Sequence, residues 1–228
     1  MGEKVAVSDD SRVLRMTPAE YTRTDEEMLR VGRPASRVAI LASNALSVGV
    51  SQRDNTPCIL KARRLGIPVV RRSTGGLGLW HAAGDLVWSL VLPRSDPRVG
   101  SDFLKAYPRL GAAAVQLLAG FGVNSTWKLP TGPASEYCLL SGRAEVLTVG
   151  ERALGGAAQH LTRDALLHHG VLPYRLEPGR LQELFDLPPE VVDRTLTSLD
   201  RVTNETPPME LARRLVSALA SGNEPKRD

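Results

Sequence analysis

Cysteine, lysine and histidine are all scarce in this chain. Of its 228 residues, two are cysteines, Cys58 and Cys138. Two cysteines build no disulfide framework, which excludes a small stapled secreted scaffold and points to a reducing cytoplasm. The four histidines are His81, His160, His168 and His169. Their spacing makes no metal site, and the adjacent pair would point to opposite faces of a strand. Only five of the 29 basic residues are lysines (Lys4, Lys61, Lys105, Lys128 and Lys226), and the rest are arginines. Long apolar runs are missing too. The longest, Leu86–Leu92, is interrupted by Ser89 and too short to cross a bilayer, so no membrane span is expected. The polar, acid-bearing N-terminus does not read as a secretory signal. Net charge is +4 and the pI is near 9.3. The charges are interspersed, with no basic tract interleaved with aromatics, so nucleic-acid binding is not expected. A modest basic face suits an acidic protein partner.

What is present is enough for a core, since hydrophobic residues make up 42% of the chain. Residues 1–16 read as a loose or edge segment. Thr17, Pro18 and Glu20 spell an N-cap, a first helical turn and a capping box, for a helix ending near Gly32. "SRVAILAS" and "ALSVGVSQ" read as strands. Thr56, Pro57 and Gly66 frame a second helix. "IPVV" and "LVWSLVL" are strands, and residues 101–122 carry a long helical pattern bent or split at Pro108. Residues 144–174 read as successive strands with tight turns, and the tail as two or three short helices. The class is α+β, a mixed, mostly antiparallel sheet with flanking helices. The expected organisation is a main domain over 1–175, with short helices over 176–228 packing on it.

The stretch "VVRRSTGGLGLWHAAGDLVWSLVL", Val69–Leu92, concentrates the polar chemistry. A glycine-rich loop after a strand exposes backbone N–H groups that can converge on an anion. Here "STGGLG" fits neither standard phosphate motif: there is no Lys-Ser/Thr pair, and a strand follows instead of a helix. Taken alone, a glycine cluster between strands more often marks a hairpin turn or bulge. Arg71 and Arg72 on a short strand point to opposite faces, so one can face a binding side while the other braces the loop. Asp85 would close a turn or pair with one of these arginines.

The ordered set strand–Arg71-Arg72-x-Thr74-Gly75-Gly76-Leu77-Gly78-x-x-His81-x-x-Gly84-Asp85–strand resembles the signature of the lipoate–protein ligase and octanoyltransferase family, which shares its fold with biotin protein ligases. The resemblance continues in "LSVGVSQ" and in Gly142–Leu172, and covers roughly Val38 to Leu172. It implies a biotin/lipoate ligase-like, class II synthetase-like domain. It also implies a pocket for an acyl chain and its activated head group, built by Arg71, Arg72, Thr74, Gly75, Gly76, Leu77, Gly78 and His81 with Gly155, Gly156, Ala157 and His169. His81 would polarise an acyl carbonyl or assist a cysteine as base, and His169 would support the Gly155–Gly156 loop.

Three departures from the family pattern bear on the chemistry. Leu77 interrupts the glycine triplet and would fill part of the pocket. The family's Gly-Arg-Lys turn reads Gly150-Glu151-Arg152, so its catalytic lysine aligns with Arg152. An arginine can hold a carbonyl or carboxylate but stays protonated and cannot act as a base. The extra C-terminal domain of many lipoate ligases is not expected. Cys138 lies upstream of that turn, where the acyltransferase branches carry their nucleophile. The alternative for Cys138 is a small buried hydrophobe. Cys58, in the first turn of a helix, is a rival thiol, and an apolar setting favours packing for it.

Three readings follow from the resemblance. The first is an acyltransferase that moves octanoyl or lipoyl groups through a Cys138 thioester, with Arg152 orienting the carbonyl and no cofactor. Its partners would be an acyl carrier protein or lipoyl domains such as the glycine cleavage H protein or a 2-oxoacid dehydrogenase E2. The second is a lipoate ligase using ATP and Mg. The third is a non-catalytic acyl- or lipoyl-binding homologue.

Overall fold

The computed structural model describes residues 13–100, 102, 106–131 and 135–221. Most of the loose N-terminal segment and part of the 101–122 pattern lie outside the described residues. A seven-stranded sheet carries the fold, in the order β1 (Leu14–Met16), β2 (Ala35–Leu41), β6 (Leu86–Pro93), β10 (Ala165–Leu172), β9 (Arg152–Leu161), β8 (Val146–Val149) and β7 (Ser125–Lys128). The β1–β2 pair is parallel and the rest are antiparallel. A second sheet of three strands was not foreseen. In it β3 (Ala45–Val48) pairs in parallel with β4 (Val69–Arg71) and antiparallel with β5 (Leu79–His81). β5, only three residues long, is too short to show a period in the sequence.

Strand alternation divides the core. Val38 and Ile40 of β2, with Leu86 and Trp88 of β6, face α4 (Ala112–Ala119) and α8 (Pro208–Ser221). Ala39, Leu41 and Val87 face the small sheet, α2 (Pro57–Arg64) and α5 (Pro178–Phe185). Both faces are covered, so β6 reads as a nearly continuous apolar run. The Ser89 that interrupts it points to the side covered by α1 (Pro18–Val31), where it meets a buried carboxylate.

α1 forms as its caps foretell. Thr17 and Glu20 close a capping box, and Gly32 ends the helix in the left-handed region at φ 68°. Its inward stripe is Pro18, Tyr21, Asp25 and Leu29, so one member is an acid. Two expectations need correction. Thr56 makes no side-chain cap; its hydroxyl donates to the Arg53 carbonyl. The 107–119 helical pattern does not break at Pro108, which sits in the first turn of α3 (Tyr107–Leu110). It breaks at Gly111, where any Cβ would stand 2.4 Å from the Trp127 ring. In the tail, α5, α6 (Pro189–Thr195), α7 (Leu199–Val202) and α8 place Leu184, Val192, Leu199 and Leu215 in the core.

Candidate active site

A cleft enclosing about 710 Å³, part of it open to solvent, lies between α1, the small sheet and the β8–β9–β10 face. Its walls are largely apolar, with Leu41, Leu79, Val87, Leu139, Val146 and Val171 among them. Polar groups reach in at few points: Ser47, Arg72, His81, Cys138, Glu145 and His169. A largely apolar cleft with a few polar groups in its walls suits an acyl chain whose reacting carbonyl must be held.

Cys138 is placed by its backbone. It opens a single 3-10 turn, Cys138–Leu140, and its N–H donates to the Gly78 carbonyl at 2.8 Å. Gly78 thereby ties the glycine loop to the cysteine. Gly76 sits at φ 97°, and a Cβ there would lie 2.7 Å from the Arg72 guanidinium and 3.2 Å from Cys138 Sγ. The loop backbone thus runs against the thiol. Cys138 is half-buried and lines the cleft. Cys58 is fully buried, and burial together with nearby Glu136 pushes its thiol up to about 11. That closes it as a nucleophile at neutral pH, as its apolar setting foretold.

The two arginines do point apart. Arg72 is buried and donates to the Gly75 and Leu77 carbonyls and to Ser47 Oγ. Burial pulls its guanidinium below the ordinary value, from a start so high that it remains a cation. Arg71 does not reach the cleft. It clamps the neighbouring loop through the carbonyls of Gly49, Val50 and Gln52 and through Asp54. Asp85 pairs with neither arginine, accepting instead from the N–H groups of Ala82 and Tyr174. The turn-closing alternative is the one the structure adopts.

Several other expected site residues are also displaced. Leu77 does not line the cleft; its carbonyl is an Arg72 acceptor. Gly156 and Ala157 line it, but Gly155 faces the Val171 carbonyl on the neighbouring strand. Arg152 is exposed at the start of β9 and lies outside the cleft lining. His169 does not brace Gly155 and Gly156. Its Nδ1 faces Asp25 Oδ2 at 2.7 Å and its Nε2 faces Thr74 Oγ1 at 2.9 Å. His81 lines the cleft with Nδ1 unpartnered among the described residues. Burial, with Arg72 and His169 nearby, brings it down to about 3. It is therefore neutral, able to donate a hydrogen bond but not to act as a base at pH 7.

Sequence reasoning missed Tyr21, Asp25, Ser47, Glu145 and Tyr107. Asp25 sits in "TDEEM", which reads as a solvated acidic face; only its spacing of four from Tyr21 marks it as inward. Tyr107 faces Cys138 and Arg72 electrostatically, and burial raises its phenol.

The buried titratable groups predict an acid-labile fold. His81 and His168 both fall from 6.5 to about 3, while Asp85 rises from 3.8 to about 7. Between about pH 4 and 6, the unfolded chain holds both imidazole protons and the folded chain holds the Asp85 proton. The unfolded state thus binds one proton more, and stability falls by about 1.4 kcal/mol per pH unit on acidification. Urea unfolding at pH 6 and pH 4 should differ by about 2–3 kcal/mol. His168→Asn removes one imidazole from this balance and should flatten the dependence.

This arrangement of glycine loop, paired arginines, cysteine and apolar cleft on a mixed sheet is that of a lipoyl-ligase-type domain. The lipoyl protein ligase A/B catalytic-domain family matches residues 20–220, and the chain belongs to that family. Among curated proteins it is similar to the octanoyltransferase LipM of Exiguobacterium sibiricum, 31% identical over 187 residues, covering 75% of this chain and 67% of that protein. It is 29% identical over 152 residues to the octanoyltransferase LipM of Staphylococcus aureus, covering 62% of this chain and 54% of that protein. The chain thus spans between about half and two thirds of the length of these relatives. Among solved structures, a bipartite lipoate protein ligase of Thermoplasma acidophilum superposes with a TM-score of 0.67 at 18% identity, covering 92% of this chain and 82% of that one. A lipoate-protein ligase A bound with ATP gives 0.61 at 22% identity, covering 91% and 84%. These structures establish the fold. Among the described residues, no helix is long and apolar enough to cross a membrane.

Proposed function

We propose that this chain is an octanoyltransferase working through a Cys138 thioester. The observation that carries the reading is the position of Cys138: half-buried in an apolar cleft, against the glycine loop, with a buried arginine nearby and a neutral histidine lining the same cleft. The similarity to proteins named octanoyltransferase supports it.

The chemistry follows from the groups present. The octanoyl chain lies along the apolar walls, with its carbonyl at the Cys138 end. Cys138 Sγ attacks that carbonyl in a carrier-protein thioester, forming a second thioester of similar energy, so no nucleotide is needed. The N–H groups of the Gly75–Gly76 loop and a neutral His81 are the donors for the developing oxyanion. Arg72 fixes the loop that presents them. A lysine amine of an acceptor lipoyl domain then takes the octanoyl group as an amide and frees the thiol.

A ligase with ATP and Mg is the second reading, favoured by the ATP-bound neighbour of the same fold. Against it stands Arg152, which is exposed where the family resemblance places a lysine. The two readings separate cleanly. The purified protein should transfer octanoyl from octanoyl-acyl carrier protein to a lipoyl-domain lysine at the same rate with or without ATP. Free octanoate with ATP and Mg should yield no modified domain. Modification only in the second mixture would overturn the transferase reading.

A further inference from the structure

Thioester exchange at Cys138 needs a group that takes up the thiol proton and returns it. Among the described residues lining the cleft, three side chains have the chemistry: His81, Glu145 and His169. His81 stays neutral down to about pH 3 and is a poor acceptor. Glu145 is half-buried next to exposed Ala144, and no hydrogen-bond partner orients its carboxylate among the described residues. His169 stands in a built site.

Both ring nitrogens of His169 are held. Asp25 Oδ2 lies 2.7 Å from Nδ1, and Asp25 is only 1% exposed. A carboxylate only accepts, so Nδ1 carries the hydrogen and Nε2 presents its lone pair to the Thr74 hydroxyl, 2.9 Å away. The far side of Asp25 is neutralised. Its Oδ1 accepts from Arg37 Nη2 and from Ser89 Oγ, each at 2.5 Å. Tyr21 stacks on the His169 ring at 6.2 Å, and the Arg37 guanidinium lies 4.4 Å from the centre of the Tyr21 ring. With an uncharged imidazole the cluster of Asp25, Arg37 and His169 carries no net charge. One added proton gives it a single positive charge, opposite to a Cys138 thiolate. His81 and His168 lie close enough to interact electrostatically with His169, and Arg72 with His81.

We infer that the Asp25–His169 couple handles the proton of acyl transfer at Cys138, through the Thr74 hydroxyl. This rests on the transferase reading above. Thr74 opens the glycine loop, in which a Cβ on Gly76 would stand 3.2 Å from Cys138 Sγ. Thr74 and Cys138 share no hydrogen bond in this structure, so the relay closes only when the bound thioester brings thiol and hydroxyl together. The Thr74 hydroxyl both donates and accepts, so once in contact with the thiol it can take one proton while giving up another. As the S–H bond of Cys138 breaks, Thr74 takes that hydrogen and gives its own to Nε2. Sγ bonds to the octanoyl carbonyl carbon and the donor's C–S bond breaks. The proton returns by the same route to the departing thiolate, leaving octanoyl-Cys138, a free donor thiol and a neutral imidazole. The acceptor amine reverses the sequence: its proton goes to Nε2, the amide forms, and Cys138 leaves as a thiol. Cys138 is the catalytic residue; Asp25 is a positioning residue, acting through the imidazole.

The test is the single-turnover rate of octanoyl-Cys138 formation from octanoyl-acyl carrier protein, read by intact mass between pH 6 and 9. His169→Gln keeps a hydrogen-bonding side chain of similar reach but cannot titrate. It should be about 10²-fold slower at pH 7. That deficit should shrink towards pH 9, where hydroxide deprotonates the thiol directly. Thr74→Val leaves the His169–Asp25 pair in place, serves if the first variant does not fold, and should show the same shrinking deficit; Thr74→Ser should retain the wild-type rate. A rate within threefold of wild type for His169→Gln or Thr74→Val, or a deficit constant across the pH range, would overturn the proposal. Absence of any adduct on the wild-type protein is a different failure, which overturns the transferase reading itself.

Discussion

Cys138→Ala should carry no octanoyl group and should transfer none, with a loss of about 10⁴-fold or more, as for removal of a nucleophile that nothing replaces. The substitution removes one sulfur from a half-buried turn. It leaves the N–H of residue 138 on the Gly78 carbonyl, so the fold and the cleft should persist. Cys58→Ala is the matched control. Its thiol is pushed up to about 11 and packs among Ile59, Ala62 and Phe185, so its loss should cost stability while leaving turnover within a few-fold. A thermal unfolding scan beside a transfer assay separates the two outcomes. Equal loss of turnover in both variants would mean that neither thiol is the nucleophile.

Gly76→Ala should be nearly as damaging, by another route. The position holds a left-handed φ of 97° that an alanine adopts only under strain. Its Cβ would also press on the Arg72 guanidinium and on Cys138 Sγ, at 2.7 and 3.2 Å. The loop must shift, carrying its N–H groups away from the developing oxyanion, and a displacement near 1 Å costs about 10²-fold in rate. Gly75→Ala makes the useful comparison, because nothing lies within 4 Å of a Cβ there. It should retain most of its activity. Octanoyl transfer by the two variants at matched protein concentration checks the contrast; equal losses would show that the close approach at Gly76 is not what the loop requires.

Local signals were legible wherever one element determines its own shape. Thr17, Pro18, Glu20 and Gly32 set both ends of α1 without help from the rest of the chain. β2, β6, β9 and β10 were readable as strands for the same reason, as was the opposite facing of Arg71 and Arg72. What the sequence hid depends on contacts made across the fold. The second sheet joins strands of three or four residues, too short to show a period. The break at Gly111 is dictated by Trp127, sixteen positions away in the chain. Asp25 lay unseen in an acidic run because its partners come from elsewhere: Arg37 on β2, Ser89 on β6 and His169 on β10. The family resemblance placed Arg72, His81, Gly156, Ala157 and His169 in one pocket, and these line the cleft, while Thr74, Gly75, Gly76, Leu77 and Gly78 are not part of its lining. It also assigned chemistry to Arg152, which the turn before β9 leaves on the surface.

The central claim is that a covalent acyl-enzyme forms on this chain without a nucleotide, and intact mass tests it most directly. The wild-type protein is mixed with octanoyl-acyl carrier protein in the absence of ATP and of any lipoyl domain, then quenched in acid and weighed. The account predicts one octanoyl adduct per chain, mapped by peptide digestion to Cys138 and discharged when a lipoyl domain is added. An unmodified mass, or an adduct on any residue but Cys138, would contradict it.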